Sequence, residues 1–353
     1  MIDVLVVDDS ALVRKLIGQA FAQQPDFTVR FARNGREALD AIRTAKPDVV
    51  TLDVQMPEMD GLACLDRIMI EQPCAVIMVS STTAAGADAT LEALRLGAID
   101  FVAKPTGAVS LRIEEMTGPL VAKVRAAAGF KMKPSLRLRE RVRHRIGEGA
   151  AAAPRRKVTT TAVGSGLVLV GTSTGGPPAL EALLTALPGS FPWPIVIAQH
   201  MPSSFTGPLA RRLDGLCRLT VQEVRAPVVL EPGSVYIGRG DADVIISSRG
   251  GALVAMAAPS QAGYPWHPST DRLVRTALNH VAPGKLIGVL MTGMGNDGAD
   301  AMTLLHQQGG RTIAEAEETA VVWGMPGELV KAQGADFVVP LPKIADRLTK
   351  LVN

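Results

Sequence analysis

Acidic side chains stand at the ends of two predicted strands in the first third of the chain. Asp8 and Asp9 follow the apolar run Ile2–Val7, and Asp53 follows the run Val49–Leu52. Because the carboxyl ends of parallel strands converge on one crevice, we expect the three carboxylates to lie together. They would repel one another unless a divalent cation lay among them, and hard oxygen ligands favour Mg²⁺.

A cation and a hydroxyl complete this predicted site. Lys104 follows the run Ile99–Ala103 and would contact an incoming phosphoryl group, while Ser80 follows Ala75–Val79 and would donate a hydrogen bond to it. A carboxylate that attacks phosphorus forms an acyl phosphate, which is a covalent intermediate. The combination therefore favours a phosphate-accepting aspartate over an acidic loop in a generic α/β domain.

The second half of the chain carries a serine suited to nucleophilic catalysis. Ser173 lies in Gly171-Thr-Ser-Thr-Gly175, between a predicted strand, Leu167–Val170, and a predicted helix that Pro177 opens. A strand–turn–helix setting exposes the serine of such a motif, and backbone N–H groups at the helix start would face a developing oxyanion. Similar turns also bind phosphate, so a non-catalytic phosphate-binding module is the alternative.

A serine nucleophile needs a base, and His200 is the predicted one. It follows the run Ile195–Ala198, and Asp297 follows Leu286–Met291 through a glycine-rich turn. Three strand ends would thus bring Ser, His and Asp side chains to one crevice, where the histidine takes the serine proton and the aspartate stabilises the imidazolium. The order of the three along the chain differs from the Ser, Asp, His order of α/β-hydrolases.

The other four histidines compete for the role of base. The strongest rival is His267, a loop histidine beside Trp266. His144 lies in a basic segment and is expected to be solvated, whereas His280 and His306 fall on predicted helices.

Length and composition indicate two soluble domains. The 353 residues are 47% hydrophobic and 20% charged, and a chain of this length exceeds one ordinary core. No apolar run reaches the roughly 18–20 residues that span a bilayer, and the N-terminus does not resemble a signal peptide. The cysteines Cys64, Cys74 and Cys217 show no metal-binding spacing, which is typical of a reduced, cytoplasmic protein.

A basic segment separates the two predicted sites. Between Lys123 and Lys157 there are twelve lysines and arginines against two glutamates, whereas the net charge of the whole chain is +3. Such a stripe could bind nucleic acid or an anionic surface. A solvated linker is the favoured interpretation, because the neighbouring stretch Gly149–Pro154 is rich in alanine and has no apolar periodicity.

The segments between these sites alternate strand and helix. Ala11–Phe21 places apolar residues on one helical face, and continuous Val, Ile and Leu runs, including Phe337–Val339, indicate strands of a parallel sheet covered by helices. Between Leu219 and Ala257, short β-rich pieces separated by glycine-containing turns predict inserted hairpins. The fold class is therefore α/β in both halves.

Residues 1–120 resemble the receiver domain of two-component response regulators, through the motifs Val4–Ser10, Leu52–Gly61 and Phe101–Pro105. The resemblance implies a flavodoxin-like, five-stranded parallel sheet, phosphorylation of Asp53 and a switch role for Phe101. The residues it implies for Mg²⁺ are Asp8, Asp9, Asp53 and, through its carbonyl, Gln55. Those it implies for the phosphate are Ser80 and Lys104.

The remainder resembles the chemotaxis protein-glutamate methylesterases, the CheB family. The matching motifs are Gly171-Thr-Ser-Thr-Gly-Gly176, Gln199-His-Met-Pro202, His267-Pro-Ser-Thr-Asp271, Met291-Thr-Gly-Met-Gly-Asn-Asp-Gly298 and Val322-Trp-Gly-Met-Pro326. The resemblance implies a triad of Ser173, His200 and Asp297, with Thr174 and Met294 near the oxyanion. It further implies hydrolysis of glutamate γ-methyl esters on chemoreceptors without a cofactor, together with deamidation of receptor glutamines.

This resemblance also implies an organisation and a set of partners. We expect a receiver domain at 1–120, a linker at 121–163, and a doubly wound, mainly parallel catalytic domain with an inserted hairpin region at 164–353. The partners would be chemoreceptor cytoplasmic helices and a chemotaxis histidine kinase as phosphodonor, with no specific nucleic acid and no membrane insertion. A response regulator with a non-catalytic or DNA-binding output is the alternative.

Two positions depart from the family pattern. Gln55 stands where a glutamate is common, and Ala314-Glu-Ala-Glu-Glu318 replaces a segment that usually reads Ala-Gln-Asp/Glu-Glu.

Overall fold

The computed structural model describes residues 1–105, 113–130 and 166–352. The chain forms two compact units, Met1–Ala153 and Pro154–Asn353. The predicted linker, with His144, lies outside the described residues except for residues 121–130. Because residues 121–128 belong to a helix that begins at Ile113, we propose that the receiver domain extends past the boundary predicted at residue 120.

The first unit alternates strand and helix. Its elements are β1 (Ile2–Val7), α1 (Ala11–Ala22), β2 (Phe27–Ala32), α2 (Gly35–Thr44), β3 (Val49–Asp53), α3 (Gly61–Glu71), β4 (Ala75–Ser80), α4 (Ala84–Leu96), β5 (Asp100–Ala103) and α5 (Ile113–Ala128). The strands are parallel, in the order β2-β1-β3-β4-β5. This arrangement confirms the predicted five-stranded parallel sheet.

Side-chain caps start four of these helices. Ser10, Asn34, Asp60 and Thr83 each accept a hydrogen bond from a backbone N–H in the first turn of the helix that follows. Such caps satisfy amide groups that a first helical turn leaves unpaired. Each of these side chains therefore fixes the residue at which its helix begins.

The second unit begins with the central strand of a larger sheet. Its elements are β6 (Leu167–Thr172), α6 (Gly176–Ala186), β7 (Ile195–Gln199), α7 (Ser203–Leu216), β8 (Thr220–Val224), β9 (Val228–Val229), β10 (Ser234–Gly238), β11 (Asp243–Arg249), β12 (Ala252–Ala258), α8 (Thr270–Leu278), β13 (Leu286–Leu290), α9 (Ala299–Gln307), β14 (Arg311–Glu315), α10 (Met325–Lys331), β15 (Phe337–Val339) and α11 (Leu341–Val352).

Strand order places a crevice beside β6. The seven strands of the main sheet run parallel in the order β15-β14-β13-β6-β7-β10-β8. The chain therefore passes from β6 to β7 on one side and returns later to β13 on the other. A reversal of strand order of this kind leaves a crevice at the carboxyl ends of the strands, which is where open α/β sheets bind ligands.

The predicted hairpin region is confirmed in part and corrected in part. Strands β11 and β12 form an antiparallel hairpin whose turn, Gly250-Gly251, has positive φ at both residues, as two-residue hairpin turns prefer. Strands β8 and β10, by contrast, join the main sheet in parallel. Strand β8 is the edge strand and carries exposed polar residues, whereas β10, next to it, is short and largely buried.

Within the described part of the chain, every helix is too short or too polar to cross a membrane.

Candidate active site

Ser173 lies on a sharp turn between β6 and α6. Its N–H donates to the Thr292 carbonyl at 3.0 Å, and its carbonyl accepts the Gly176 N–H at 2.8 Å. Gly175, with φ at +77°, supplies the left-handed residue that the turn requires. The side chain of Ser173 is half-buried, so the turn presents its hydroxyl at the edge of the crevice.

Gln199 ties the serine turn to the histidine. Its buried amide accepts a hydrogen bond from the Thr172 hydroxyl at 2.6 Å and donates to the carbonyls of Ser173 and His200, both at 3.0 Å. A Cβ on Gly176 would collide with this amide. Gln199 thus fixes the backbone of two strand ends relative to each other.

His200 and Asp297 form a buried pair. The histidine Nε2 lies 2.7 Å from Asp297 Oδ2. The histidine Nδ1 is buried and has no hydrogen-bond partner among the described residues. His200 directly follows β7, the strand next to β6, and its backbone N–H donates to the Thr172 carbonyl at 3.0 Å. The His200 backbone is therefore bonded to the end of β6, the strand that leads into the Ser173 turn, and one nitrogen of its ring has no partner among the described residues.

The N-terminus of α8 holds the Asp297 carboxylate. Oδ1 accepts hydrogen bonds from the Ser269 hydroxyl at 2.9 Å and the Asp271 N–H at 3.0 Å, and Oδ2 accepts the Thr270 N–H at 2.6 Å. Burial alone would raise the pKa of Asp297, but His200 and these backbone donors hold it below its usual value. The aspartate is therefore kept ionised and in a fixed orientation.

The rival histidine, His267, serves a different carboxylate. Its Nδ1 lies 2.8 Å from Asp243 Oδ1, and Asp243 Oδ2 accepts a hydrogen bond from Arg272 at 2.6 Å. Its neighbour Trp266 stacks on the His200 ring, with centroids 6.1 Å apart and planes inclined by 6°. The loop that carries His267 thus contributes an aromatic wall to the site.

The two residues predicted near the oxyanion lie in separate segments. Thr174 directly follows Ser173 and is buried. Met294 follows Gly293, which packs closely against Ser173: a Cβ added to Gly293 would lie only 2.8 Å from the Ser173 Cβ. The Met294 N–H has no acceptor among the described residues. A backbone donor is therefore available close to the serine, as stabilisation of an oxyanion requires.

In the first unit, the predicted phosphate site is assembled around Lys104. Its ammonium lies 2.9 Å from Asp8 Oδ2 and 2.8 Å from Asp53 Oδ2. Burial raises the pKa of Asp53 to about 6, against the opposing effect of Lys104. Ser80 is also buried, but its hydroxyl donates to the Gly86 carbonyl at 3.2 Å rather than to Asp53.

The same carboxylates fit a divalent cation. One oxygen each of Asp8, Asp9 and Asp53 lies within 4.8 Å of the others, and an all-oxygen set of this kind suits Mg²⁺. The Gln55 N–H contacts Asp53 Oδ1 at 3.4 Å, which places that residue beside the cluster. A cation bound there would supply charge neutralisation for an incoming phosphoryl group.

Both units match known families. The family model described as CheB methylesterase matches residues 168–348, and the model described as response regulator receiver domain matches residues 4–114. A protein-glutamate methylesterase/protein-glutamine glutaminase 2 of Rhodopseudomonas palustris (strain BisB18) is 55% identical over 98% of this chain and 96% of its own length. The chain belongs to the CheB methylesterase family.

Further relatives agree with this assignment to the CheB methylesterase family. A protein-glutamate methylesterase/protein-glutamine glutaminase 3 of Rhodospirillum rubrum is 49% identical over 99% of this chain and 95% of its own length. The crystal structure of the Thermotoga maritima CheB methylesterase catalytic domain superposes with a TM-score of 0.51 at 38% identity, covering 53% of this chain and 98% of that one. The predicted alternative of a DNA-binding output is therefore not supported.

Three contributors to the site in this CheB-family chain were absent from the residues predicted to act there. They are Gln199, Trp266 and Ser269, which respectively fix the strand ends, stack on His200 and bind Asp297. Gln199 and Ser269 each fall within a motif that carries the family resemblance, and Trp266 directly precedes one, so these motifs were the available signal. The bonds and ring contacts that these three residues make depend on how the strands and the loop before α8 are placed, which the motifs alone do not give.

Proposed function

We propose that this chain hydrolyses glutamate γ-methyl esters on chemoreceptors to glutamate and methanol, and also deamidates receptor glutamines. The observation that carries the proposal is the buried His200–Asp297 pair, whose histidine has one ring nitrogen without a partner among the described residues and a backbone N–H bonded to Thr172, directly before Ser173. The two activities printed in the names of the relatives, esterase and glutaminase, support the ester and amide classes of substrate.

In the first half of the reaction, Ser173 becomes acylated. Its hydroxyl oxygen attacks the ester carbonyl while His200 Nδ1 takes the proton, and Asp297 stabilises the resulting imidazolium through Nε2–H. The N–H groups of Thr174 and Met294 stabilise the oxyanion of the tetrahedral intermediate. When this intermediate collapses, His200 returns the proton to the departing methoxide, so that methanol leaves and a glutamyl ester of Ser173 remains.

In the second half, water replaces methanol. His200 Nδ1 takes a proton from the water as it attacks the acyl carbonyl, and then returns that proton to the serine oxygen. Glutamate is released and the enzyme is restored. A glutamine side chain follows the same course with ammonia as the leaving group, and the protein side chains named above supply every proton transfer.

The receiver unit supplies control. Asp53 accepts a phosphoryl group from a chemotaxis histidine kinase, and Lys104 and Ser80 contact the phosphate. Asp8, Asp9, Asp53 and the Gln55 carbonyl would hold Mg²⁺, which would neutralise charge at this site. Support comes from the clustering of the three carboxylates with Lys104. Phosphorylation raises the hydrolytic rate by shifting the population of two conformational states. The partners are chemoreceptor cytoplasmic helices, and the proposed location is the cytoplasm.

Methanol release tests this proposal. The full chain is incubated with a methylated chemoreceptor cytoplasmic fragment, with and without acetyl phosphate and Mg²⁺. We expect release that increases with the phosphodonor, that disappears in Ser173→Ala, and that shows no stimulation in Asp53→Asn. Undiminished release by Ser173→Ala would refute the catalytic assignment, and equal stimulation of Asp53→Asn would refute the control by phosphorylation.

A further inference from the structure

Glu315 is a fully buried carboxyl group at the carboxyl end of β14. Its exposed fraction is 0%. Oε2 accepts the Thr292 N–H at 2.8 Å, whereas Oε1 has no hydrogen-bond partner among the described residues. The proposed reaction makes no direct use of this group, so its burial at the edge of the crevice requires another explanation.

Thr292 connects Glu315 to the nucleophile. The Thr292 carbonyl accepts the Ser173 N–H at 3.0 Å, and its hydroxyl donates to the Thr174 carbonyl at 2.8 Å. Two hydrogen bonds therefore lead from the Glu315 carboxyl to the backbone of Ser173. Met294, whose N–H faces no acceptor, follows two residues later in the same segment. A shift of Thr292 would move the serine turn and a proposed oxyanion donor together.

The surroundings of Glu315 favour its neutral form. Burial raises the pKa of Glu315 to about 7, although the Thr292 N–H and the Thr319 hydroxyl lower it. No ionisable side chain of the described segments contributes to this shift, and the Thr319 hydroxyl itself donates to the Ala316 carbonyl. An ionised carboxylate here would be an uncompensated buried charge, which is costly.

We propose that Glu315 is a positioning residue for ester hydrolysis, and that its protonated form holds the Thr292 segment, and with it Ser173, in the reactive arrangement. Ionisation of Glu315 draws solvent or a cation towards the buried oxygens and displaces the segment. Activity is then limited on the alkaline side by the loss of the Glu315 proton. This inference about catalysis rests on the proposed function.

The isosteric variant Glu315→Gln tests the proposal through a pH profile of kcat/KM for methanol release by the full chain. In the wild type we expect the activity to fall as pH increases through about 7. Glu315→Gln keeps an acceptor for Thr292 but cannot ionise, so its activity should stay level above pH 7, with kcat affected more than KM. Glu315→Leu, which removes the acceptor, should lower kcat at every pH.

A second readout does not depend on the substrate. Because the folded pKa of Glu315 lies above its unfolded value, the stability due to its proton is complete below pH 4.5 and is lost as pH increases to about 7. Relative to Glu315→Gln, the folding equilibrium constant of the wild type should therefore fall by about a hundredfold between pH 4.5 and pH 8. Urea unfolding at several pH values measures this difference.

The matched control is Glu223→Gln. Glu223 has a largely buried side chain in the same unit, but it is paired with Arg225 and accepts a hydrogen bond from Thr206. Its variant should keep the alkaline decline of the wild type. The same decline in Glu315→Gln, or an unfolding difference that does not vary with pH, would overturn the proposal. Absence of methanol release from the wild type at every pH would refute the proposed function instead, while the unfolding comparison would still decide whether Glu315 holds its proton.

Discussion

Replacing Asp297 with asparagine separates the electrostatic role of this residue from its shape. The carboxylate accepts four hydrogen bonds, from His200 and Thr270 on one oxygen and from Ser269 and Asp271 on the other. Asparagine has nearly the same volume but only one oxygen. Its NH₂ group must therefore face donors on one side or the other.

Both orientations of the asparagine are unfavourable. If the NH₂ group replaces Oδ1, it opposes the Asp271 N–H, and a buried donor left without an acceptor costs about 1–3 kcal/mol. If it replaces Oδ2, it opposes Thr270 N–H and forces His200 to carry its proton on Nδ1, so the ring can no longer accept the Ser173 proton. Loss of the negative charge in both orientations, and of the correct tautomer in the second, should lower kcat by about 10³–10⁴-fold.

The assay is methanol release by the activated full chain, with urea unfolding as the measure of stability. Asp243→Asn is the matched control, because Asp243 is also a buried carboxylate paired with a histidine, at 2.8 Å from His267 Nδ1. We expect similar losses of stability but less than a tenfold change in kcat for the control. If Asp297→Asn keeps kcat within tenfold of the wild type, or if Asp243→Asn is the more damaging change, the assignment of His200 as the base is wrong.

Two further substitutions test the groups that surround the triad. Gln199→Leu removes the three hydrogen bonds of a buried amide. We expect kcat to fall by about a hundredfold with little change in KM, because small displacements of reacting groups have effects of that size. Steady-state kinetics of methanol release measure kcat and KM separately. Trp266→Ala removes the ring stacked on His200 and should lower kcat, whereas Trp266→Phe should recover most of it; equal kcat in both variants and the wild type would mean that the ring has no role in orienting the base.

The sequence predicts the α/β fold well where strands are buried on both faces. Six strands coincide with continuous apolar runs: β1, β3, β4, β6, β7 and β13. Because strands buried on both faces have such sequences, the runs indicate a parallel sheet covered by helices. Strand β2 was not predicted because it is an edge strand with half-exposed side chains. For β8 and β10 the turn signals predict hairpins, whereas the two strands pair in parallel. Turn signals show where a strand ends and not which strand it joins.

The same principle accounts for what the sequence predicts about the candidate site. Ser173, His200 and Asp297 each follow a predicted strand, so their convergence follows from parallel strands alone. The hydrogen-bond partners of Asp297 at the start of α8 cannot be predicted from strand order, because the loop before α8 positions Ser269. Glu315 lies in the segment that departs from the family pattern, but its burial and its bond to Thr292 depend on the pairing of β13 with β14.

Comparison of the two histidine–aspartate pairs shows which level of structure determines the candidate function. The distances are nearly equal, 2.7 Å from His200 Nε2 to Asp297 and 2.8 Å from His267 Nδ1 to Asp243, so the length of the contact does not distinguish a base from a structural histidine. What differs is strand order. His200 follows β7, which is hydrogen-bonded to β6, and it therefore lies beside the Ser173 turn, whereas His267 lies on a loop and its carboxylate also binds Arg272. We therefore propose that a histidine–aspartate pair becomes a general base only where the sheet places a nucleophile next to it, and that the reversal of strand order at β6 gives His200 this position.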